Sequence, residues 1–110
     1  MIKPPMTDVI AERKIEVILP DEKADILTIQ IGRPARDPNP GGDWHCPMRI
    51  QGMGNEIVRS FFGVDPLQAL QHTLGILDLE VRSFSGSCRL SWLGQPDIGL
   101  TPWSPKLESK

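Results

Sequence analysis

The residues best suited to chemistry stand together beside a stretch rich in proline and glycine. Asp43, Trp44, His45 and Cys46 are consecutive and bring a carboxylate, an indole, an imidazole and a thiol into one short segment. These groups can bind a small molecule or support covalent catalysis, since an imidazole can lower a thiol pKa and accept its proton. The structural alternative is that Trp44 and Cys46 face the core while Asp43 caps a turn. We favour that alternative.

Two wider combinations of these groups are chemically conceivable. Cys46 with His72 would make a nucleophile and its base, but no family signature surrounds the cysteine. His45, Cys46, His72 and Cys88 are ligand types that zinc accepts, yet they lack the paired spacing of a zinc site. The sequence therefore predicts no catalytic residue, no metal site and no cofactor.

Three arginines flank the same region and are candidates for binding an anion. The planar guanidinium groups of Arg33, Arg36 and Arg49 suit a carboxylate or a phosphate. The alternative is exposure to solvent or pairing with Asp37 and Asp43. The candidate binding residues are therefore Arg33, Arg36, Asp43, Trp44, His45, Cys46 and Arg49.

The three tryptophans allow a further alternative. Trp44, Trp92 and Trp103 could form an exposed aromatic patch for a partner, or fill the core. We expect Trp92 in the core and leave the other two positions open.

Length and charge limit the class of protein. A chain of 110 residues and 12.2 kDa has room for one hydrophobic core. The formal net charge of −2 provides no field that attracts phosphate backbones, so nucleic-acid binding is not expected. Two cysteines, no secretory signal and no long apolar run indicate a soluble cytoplasmic protein without membrane contact.

Apolar and polar residues alternate in most of the chain, which is typical of half-buried strands. Pro38, Pro40 and their neighbours interrupt this pattern, so Gly32 to Asp43 is predicted to be a long surface loop. The predicted strands are Val9–Leu19, Ile26–Ile31, Trp44–Met53, Glu56–Phe62 and Arg89–Leu93.

One amphipathic helix is predicted from about Asp65 to Phe84. Asp65 is a good N-cap, Pro66 suits the first helical position, and Gln68 can complete a capping box. The stripe expected to face the sheet consists of Leu67, Leu70, Leu74, Leu77, Val81 and Phe84.

These elements predict an α+β fold in which an antiparallel meander of four to five strands packs on one helix, in the order ββββαβ. The expected organisation is a flexible extension over residues 1–8, a single domain over 9–103 and a flexible tail over 104–110. Ile98, Leu100 and Trp103 are expected to anchor the last part of the chain. The strand at Val9–Leu19 is expected at a sheet edge, where a second copy could pair with it.

Four sequence blocks, in this order, resemble those of a family of small, uncharacterised bacterial proteins. The resemblance covers roughly Ile29 to Leu100, and it implies a bacterial cytoplasmic protein with no catalytic residue to transfer. The blocks are Ile31-Gly32-Arg33-Pro34, Gly42-Asp43-Trp44-His45-Cys46-Pro47, Gly63-Val64-Asp65-Pro66-Leu67-Gln68-Ala69-Leu70 and Leu90-Ser91-Trp92-Leu93-Gly94.

Two functions follow from these observations. The first is a non-enzymatic protein-interaction or accessory module, regulatory or immunity-type, that uses the Gly32–Trp44 loop and the adjoining sheet to recognise a protein partner or a second copy. The second is a small enzyme or ligand-binding protein with a site around Asp43, His45, Cys46 and Arg49.

Overall fold

The computed structural model describes residue 6 and residues 8–38 and 43–100. It confirms the expected α+β class, with strands before a single helix and one strand after it. In chain order the elements are β1 (Val9–Ile18), β2 (Ala24–Gly32), β3 (Ala35–Arg36), β4 (Trp44–Gly52), β5 (Asn55–Gly63), α1 (Pro66–Ser85) and β6 (Arg89–Ser91).

The described strands form one antiparallel sheet. β1 pairs with β2, β2 with β4, and β4 with β5, as a meander predicts. After α1 the chain returns to the opposite side of the sheet, where β6 pairs with the Glu16–Ile18 end of β1. The prediction that the first strand lies at an edge is therefore wrong for this half of β1. Among the described strands, β5 is the longest one that pairs with a neighbour on one side only.

The predicted loop between Gly32 and Asp43 contains the short strand β3. Ala35 and Arg36 pair with His45 and Trp44, on the same side of β4 that β2 occupies farther along. The β2–β4 pairing stops at Ile31 and Met48, next to Pro47, which has no backbone N–H to donate. Two paired residues are too few to produce a periodic pattern, so β3 was not predictable from the sequence. The predicted loop residues 39–42 lie outside the described residues.

The β4–β5 hairpin has a two-residue turn. Met53 and Gly54 have φ of 55° and 77°, the left-handed values of a type I′ turn, and Gly52 pairs with Asn55. Gly52, which precedes the turn, has no room for a side chain, because a Cβ there would lie 2.7 Å from the Ile26 carbonyl oxygen of β2. The turn thus fixes the register of the hairpin and its contact with β2.

The start of α1 follows the predicted capping. Asp65 Oδ1 accepts a hydrogen bond from the Gln68 amide at 2.7 Å, and Pro66 is the first helical residue. Gln68 Oε1 in turn accepts from the Val64 amide at 2.8 Å, one residue earlier than in a standard capping box. The helix N-terminus is therefore determined by local sequence.

The predicted buried stripe of α1 is partly wrong. Leu77 and Val81 are buried, but Leu67 and Leu74 are exposed, and the buried side chains of the helix are Ala69, Thr73, Leu77, Val81 and Ser85. Small residues turn toward the sheet because the helix lies close to it. A Cβ on Gly63 would lie 2.7 Å from the Gln68 carbonyl carbon, and Thr73 Oγ1 donates to the Cys46 carbonyl at 3.0 Å.

The core lies between the sheet and two covering elements. α1 packs on β4 and β5, while the segment after β6, residues 92–100, covers β1 and β2 beside Arg13, Ile29 and Ile31. Arg13 holds this segment: its Nη1 donates to the Ile98 carbonyl at 3.2 Å and the Gly99 carbonyl at 3.0 Å. Its guanidinium carbon lies 3.8 Å from the centre of the Trp92 ring. The buried core residues are Ile15, Val17, Leu27, Ile29, Ile31, Cys46, Met48, Ile50, Ala69, Leu77, Val81 and Ile98.

The expected anchors Ile98 and Leu100 are confirmed, since Ile98 is buried and Leu100 packs against the core, as does Trp92. Trp103 and the predicted tail over 104–110 lie outside the described residues, as does most of the predicted extension over 1–8.

Candidate functional site

The consecutive residues of the candidate site divide between the two faces of the sheet. In β4 the side chains of Cys46, Met48 and Ile50 point to the helix side and are buried. His45 and Arg49 alternate with them and therefore point to the opposite face, which α1 does not cover. A thiol at Cys46 and an imidazole at His45 accordingly cannot act on the same bound molecule.

Cys46 is enclosed by the fold. Its exposed surface is 0%, and its Sγ contacts the Gly32 carbonyl oxygen at 3.5 Å. Burial raises the pKa of the Cys46 thiol, opposed by a smaller lowering from the Thr73 side chain. A neutral, inaccessible thiol is a poor nucleophile, so the contacts of Cys46 are those of a core residue.

Arg49 belongs to a row of polar side chains that crosses the uncovered face. Its Nε donates to Gln30 Oε1 at 2.9 Å, and its Nη1 lies 3.5 Å from Glu56 Oε2. Gln30 Nε2 donates in turn to Glu12 Oε1 at 2.7 Å. This bond, with one from Lys14, lowers the pKa of the Glu12 carboxyl. The row therefore links β1, β2, β4 and β5 side by side, with Arg49 already held by two partners.

Arg33 and Arg36 have different partners. Arg33 Nε lies 3.8 Å from Asp8 Oδ2, whereas the guanidinium carbon of Arg36 lies 5.7 Å from the centre of the Trp44 ring. Arg36 pairs with Trp44, which shares the helix-side face of Cys46, so Arg36 and Arg49 are directed to opposite faces. The three arginines do not surround one anion.

Asp43 and Trp44 lie where the loop after β3 enters β4. The Asp43 carbonyl accepts a hydrogen bond from the Asp37 amide at 2.7 Å, which closes the base of the loop. Trp44 is half-buried and packs against the edge of the core. These contacts give both residues a role in holding β3 against β4.

His72 is directed to the end of β5. Its Nδ1 donates to the Phe62 carbonyl at 2.6 Å, because a carbonyl can only accept. Within residues 8–38 and 43–100, no group of three or more histidine, cysteine, aspartate or glutamate side chains is arranged to hold a metal ion.

An exposed apolar surface lies where β5 passes into α1. Phe62, Val64 and Leu67 are 53%, 71% and 63% exposed and follow one another within six residues of the chain. We call these three residues the β5–α1 patch. The sequence does not predict it, because the leucine spacing places Leu67 on the stripe expected to be buried. The one available signal was the apolar run Phe61-Phe62-Gly63-Val64 before the helix cap.

A hollow adjoins this patch on the helix side of the sheet. It has a volume of about 440 Å³ and lies between β5 and α1, lined by Phe61, Phe62, His72, Gly75 and Ile76. A second hollow, of about 630 Å³, lies at the other end of α1 and contains Arg82 and Arg89. Both of those arginines are paired, with Asp78 and Glu22 respectively. The first hollow is therefore the more apolar binding surface.

Comparison with known proteins shows the family of this chain. Residues 11–102 match the family described as Domain of unknown function (DUF6968), and the chain belongs to that family. A search of curated proteins found no match, and neither did a search of solved structures. Among the residues that the structure describes, no helix is long and apolar enough to cross a membrane.

Proposed function

We propose that this domain is a non-enzymatic protein-interaction module of the bacterial cytoplasm, and that it binds its partner through the β5–α1 patch. The observation that carries this proposal is the strong exposure of Phe62, Val64 and Leu67 within six residues of the chain. Contiguous apolar groups on the surface of a small domain mark sites of association, because burying them on a partner is favourable.

The patch contacts one candidate residue of the loop region, His45. The β4–β5 register places His45 opposite Phe62 and Trp44 opposite Gly63. The rings of His45 and Phe62 are 6.1 Å apart between their centroids. The patch therefore extends through Phe62 to His45 on the uncovered face of the sheet, one residue from the end of the Gly32–Trp44 loop. Aromatic side chains of this kind are frequent at the centres of interfaces.

The alternative of an enzyme or ligand-binding site around Asp43, His45, Cys46 and Arg49 has less support. Cys46 is buried on the face opposite His45 and Arg49, and Arg49 is held by Gln30 and Glu56. A cytoplasmic location is supported by Cys46 and Cys88, which are not joined in a disulfide.

Site-specific photo-crosslinking in the native host tests the proposal. A benzophenone amino acid replaces Val64 in one variant and Leu93 in the control. Leu93 is 79% exposed but lies after β6, away from the patch. We expect a discrete protein adduct from position 64 and none of that mass from position 93.

The adduct is then challenged by a second change in the patch. Adding Leu67→Ser should abolish crosslinking from position 64, whereas Leu79→Ser should not, although Leu79 and Leu67 are both 63% exposed on α1. The same adducts from positions 64 and 93, or no adduct from either, would contradict the proposed function.

A further inference from the structure

The backbone of β5 has one side without a neighbouring strand in the described residues. β5 pairs with β4 alone, from Asn55 to Gly63. Gly52 and Asn55 flank the two-residue turn and form a hydrogen-bonded pair, after which bonded and non-bonded pairs alternate. Ile57, Arg59 and Phe61 therefore bond to β4. Val58 and Ser60 direct their amides and carbonyls to the open side.

The far end of this open side is closed by α1. The Phe62 carbonyl has the same orientation as those of Val58 and Ser60, and it accepts a hydrogen bond from His72 at 2.6 Å. The Val64 amide donates to Gln68 at 2.8 Å. The open section is thus centred on Val58 and Ser60, which together offer two donors and two acceptors. Only an extended chain presents matching groups at that spacing.

The side chains of β5 determine which residue types an added strand should carry. On the helix side these are Ile57, Arg59 and Phe61, with the apolar hollow next to Phe61. An added strand places alternate side chains on this face, directly opposite those three residues. Apolar groups suit the positions opposite Ile57 and Phe61. A negative charge suits the position opposite Arg59.

The charge of Arg59 favours a different protein, and not a second copy of this chain, as the source of an added strand. Arg59 is the central residue of β5, so two copies paired antiparallel along the whole strand would place Arg59 opposite itself. Like charges directly opposite each other are destabilising, and this would be a non-bonded pair, in which side chains are closest. Arg59 Nε is 3.1 Å from Glu80 Oε1, but more than half of its side chain is exposed to a partner.

We propose that an extended segment of another protein binds as an added strand on the open side of β5. The segment carries an acidic residue opposite Arg59 and apolar residues two positions before and after it, one of which enters the hollow lined by Phe61, His72 and Ile76. This inference rests on the proposed function, because it specifies the form and the chemistry of the partner.

The probe for the test is the acetylated, amidated peptide Leu-Thr-Glu-Thr-Leu, which has the same pattern in either strand direction. Amide hydrogen exchange of the full chain is measured by NMR with and without the peptide. In the free protein, the amides of Val58 and Ser60 should exchange faster than those of Ile57 and Arg59. Peptide binding should slow exchange at Val58 and Ser60 selectively.

Variants of the protein separate backbone pairing from side-chain contact. Val58→Pro removes an outward N–H and no bond to β4, so the domain should fold and peptide affinity should fall by about tenfold or more. Val58→Thr retains the N–H and should bind as the native chain does. Circular dichroism confirms folding in both variants.

Charge specificity is tested by reversing the pair between β5 and α1. The native chain should prefer Leu-Thr-Glu-Thr-Leu to Leu-Thr-Lys-Thr-Leu by about fivefold. The double variant Arg59→Glu with Glu80→Lys retains an ion pair within the domain and should reverse that preference. This comparison does not depend on Val58→Pro being folded.

Several outcomes would overturn the inference. Slow exchange at Val58 and Ser60 in the free monomer would mean that another part of this chain already covers the edge. Protection that appears with rising protein concentration would identify a second copy as the occupant. An adduct at position 64 without peptide protection would overturn strand addition and leave the proposed function standing, whereas absence of both would contradict both.

Discussion

Replacing Arg13 by methionine should cost this domain a large part of its stability. Arg13 Nη1 donates to the carbonyls of Ile98 and Gly99, and its guanidinium lies over Trp92 at 3.8 Å. Methionine retains most of the apolar stem but removes the charge and both hydrogen bonds. The segment after β6 would then cover β1 and β2 without its polar attachment.

The magnitude follows from those three contacts. A hydrogen bond from a charged donor contributes about 1.5 to 3 kcal/mol when it is shielded from water. The contact with Trp92 adds about 0.5 to 1 kcal/mol. Because Gly99 is exposed, its hydrogen bond is weaker. We therefore expect the free energy of unfolding to fall by about 2 to 3 kcal/mol, a substantial share of the stability of a small domain.

Urea unfolding followed by far-ultraviolet circular dichroism measures this change. The matched control is Arg89→Met, since Arg89 pairs with Glu22 at 2.7 Å and both side chains are strongly exposed, at 67% and 75%. An exposed pair of this kind contributes less than about 1 kcal/mol.

A double-mutant cycle with Trp92→Leu isolates the contact between Arg13 and the ring. We expect a coupling energy of at least about 0.5 kcal/mol. If Arg13→Met proves no more destabilising than Arg89→Met, or if its effect adds to that of Trp92→Leu without coupling, then Arg13 does not hold the segment after β6.

Three further predictions concern the buried residues Cys46 and Gly63. Iodoacetamide at neutral pH should label Cys88, which is partly exposed, well before Cys46, as peptide mass mapping would show. Burial raises the pKa of the Cys46 thiol in the folded state. The contribution of the neutral thiol to the free energy of unfolding is therefore fully present below the unfolded pKa of about 8.5, and it is lost as the pH rises through the pKa of the folded state. Cys46→Ala should therefore flatten the alkaline decline in unfolding free energy. Gly63→Ala should destabilise by about 1 to 3 kcal/mol, because its Cβ would lie 2.7 Å from the Gln68 carbonyl carbon. In the control Gly54→Ala, the added Cβ has no atom within 4 Å, so the cost of about 1 kcal/mol comes from the φ of +77° alone. If urea unfolding shows the same loss of unfolding free energy for both variants, the packing argument for Gly63 is contradicted.

The class of fold and the start of the helix were predictable because their signals are local. Alternation identified the long strands, and Asp65, Pro66 and Gln68 identified the N-terminus of α1. The rotation of the helix was not predictable from the leucines. It depends on how closely α1 approaches Gly63 and on the hydrogen bond from Thr73 to β4, which are properties of the packed state.

The candidate site was predictable in part for the same reason. Alternation along β4 already separates Cys46 from Arg49, and the structure places Cys46 in the core, as the structural alternative expected. The β5–α1 patch was missed because the exposure of Leu67 depends on the rotation of α1. The open side of β5 was missed because the position of a strand within a sheet is set by pairing between distant segments.

The attachment of Arg13 to Ile98 has a consequence for synthesis of the chain. These two residues are separated by 85 positions, yet Ile98 fills the core above the first strands. While the chain emerges from the ribosome, the apolar sides of Ile15 and Ile29 stay without their final cover until Ile98 has been added. Since contacts between distant positions slow folding, the core of this domain is expected to close only after residue 98 has been synthesised.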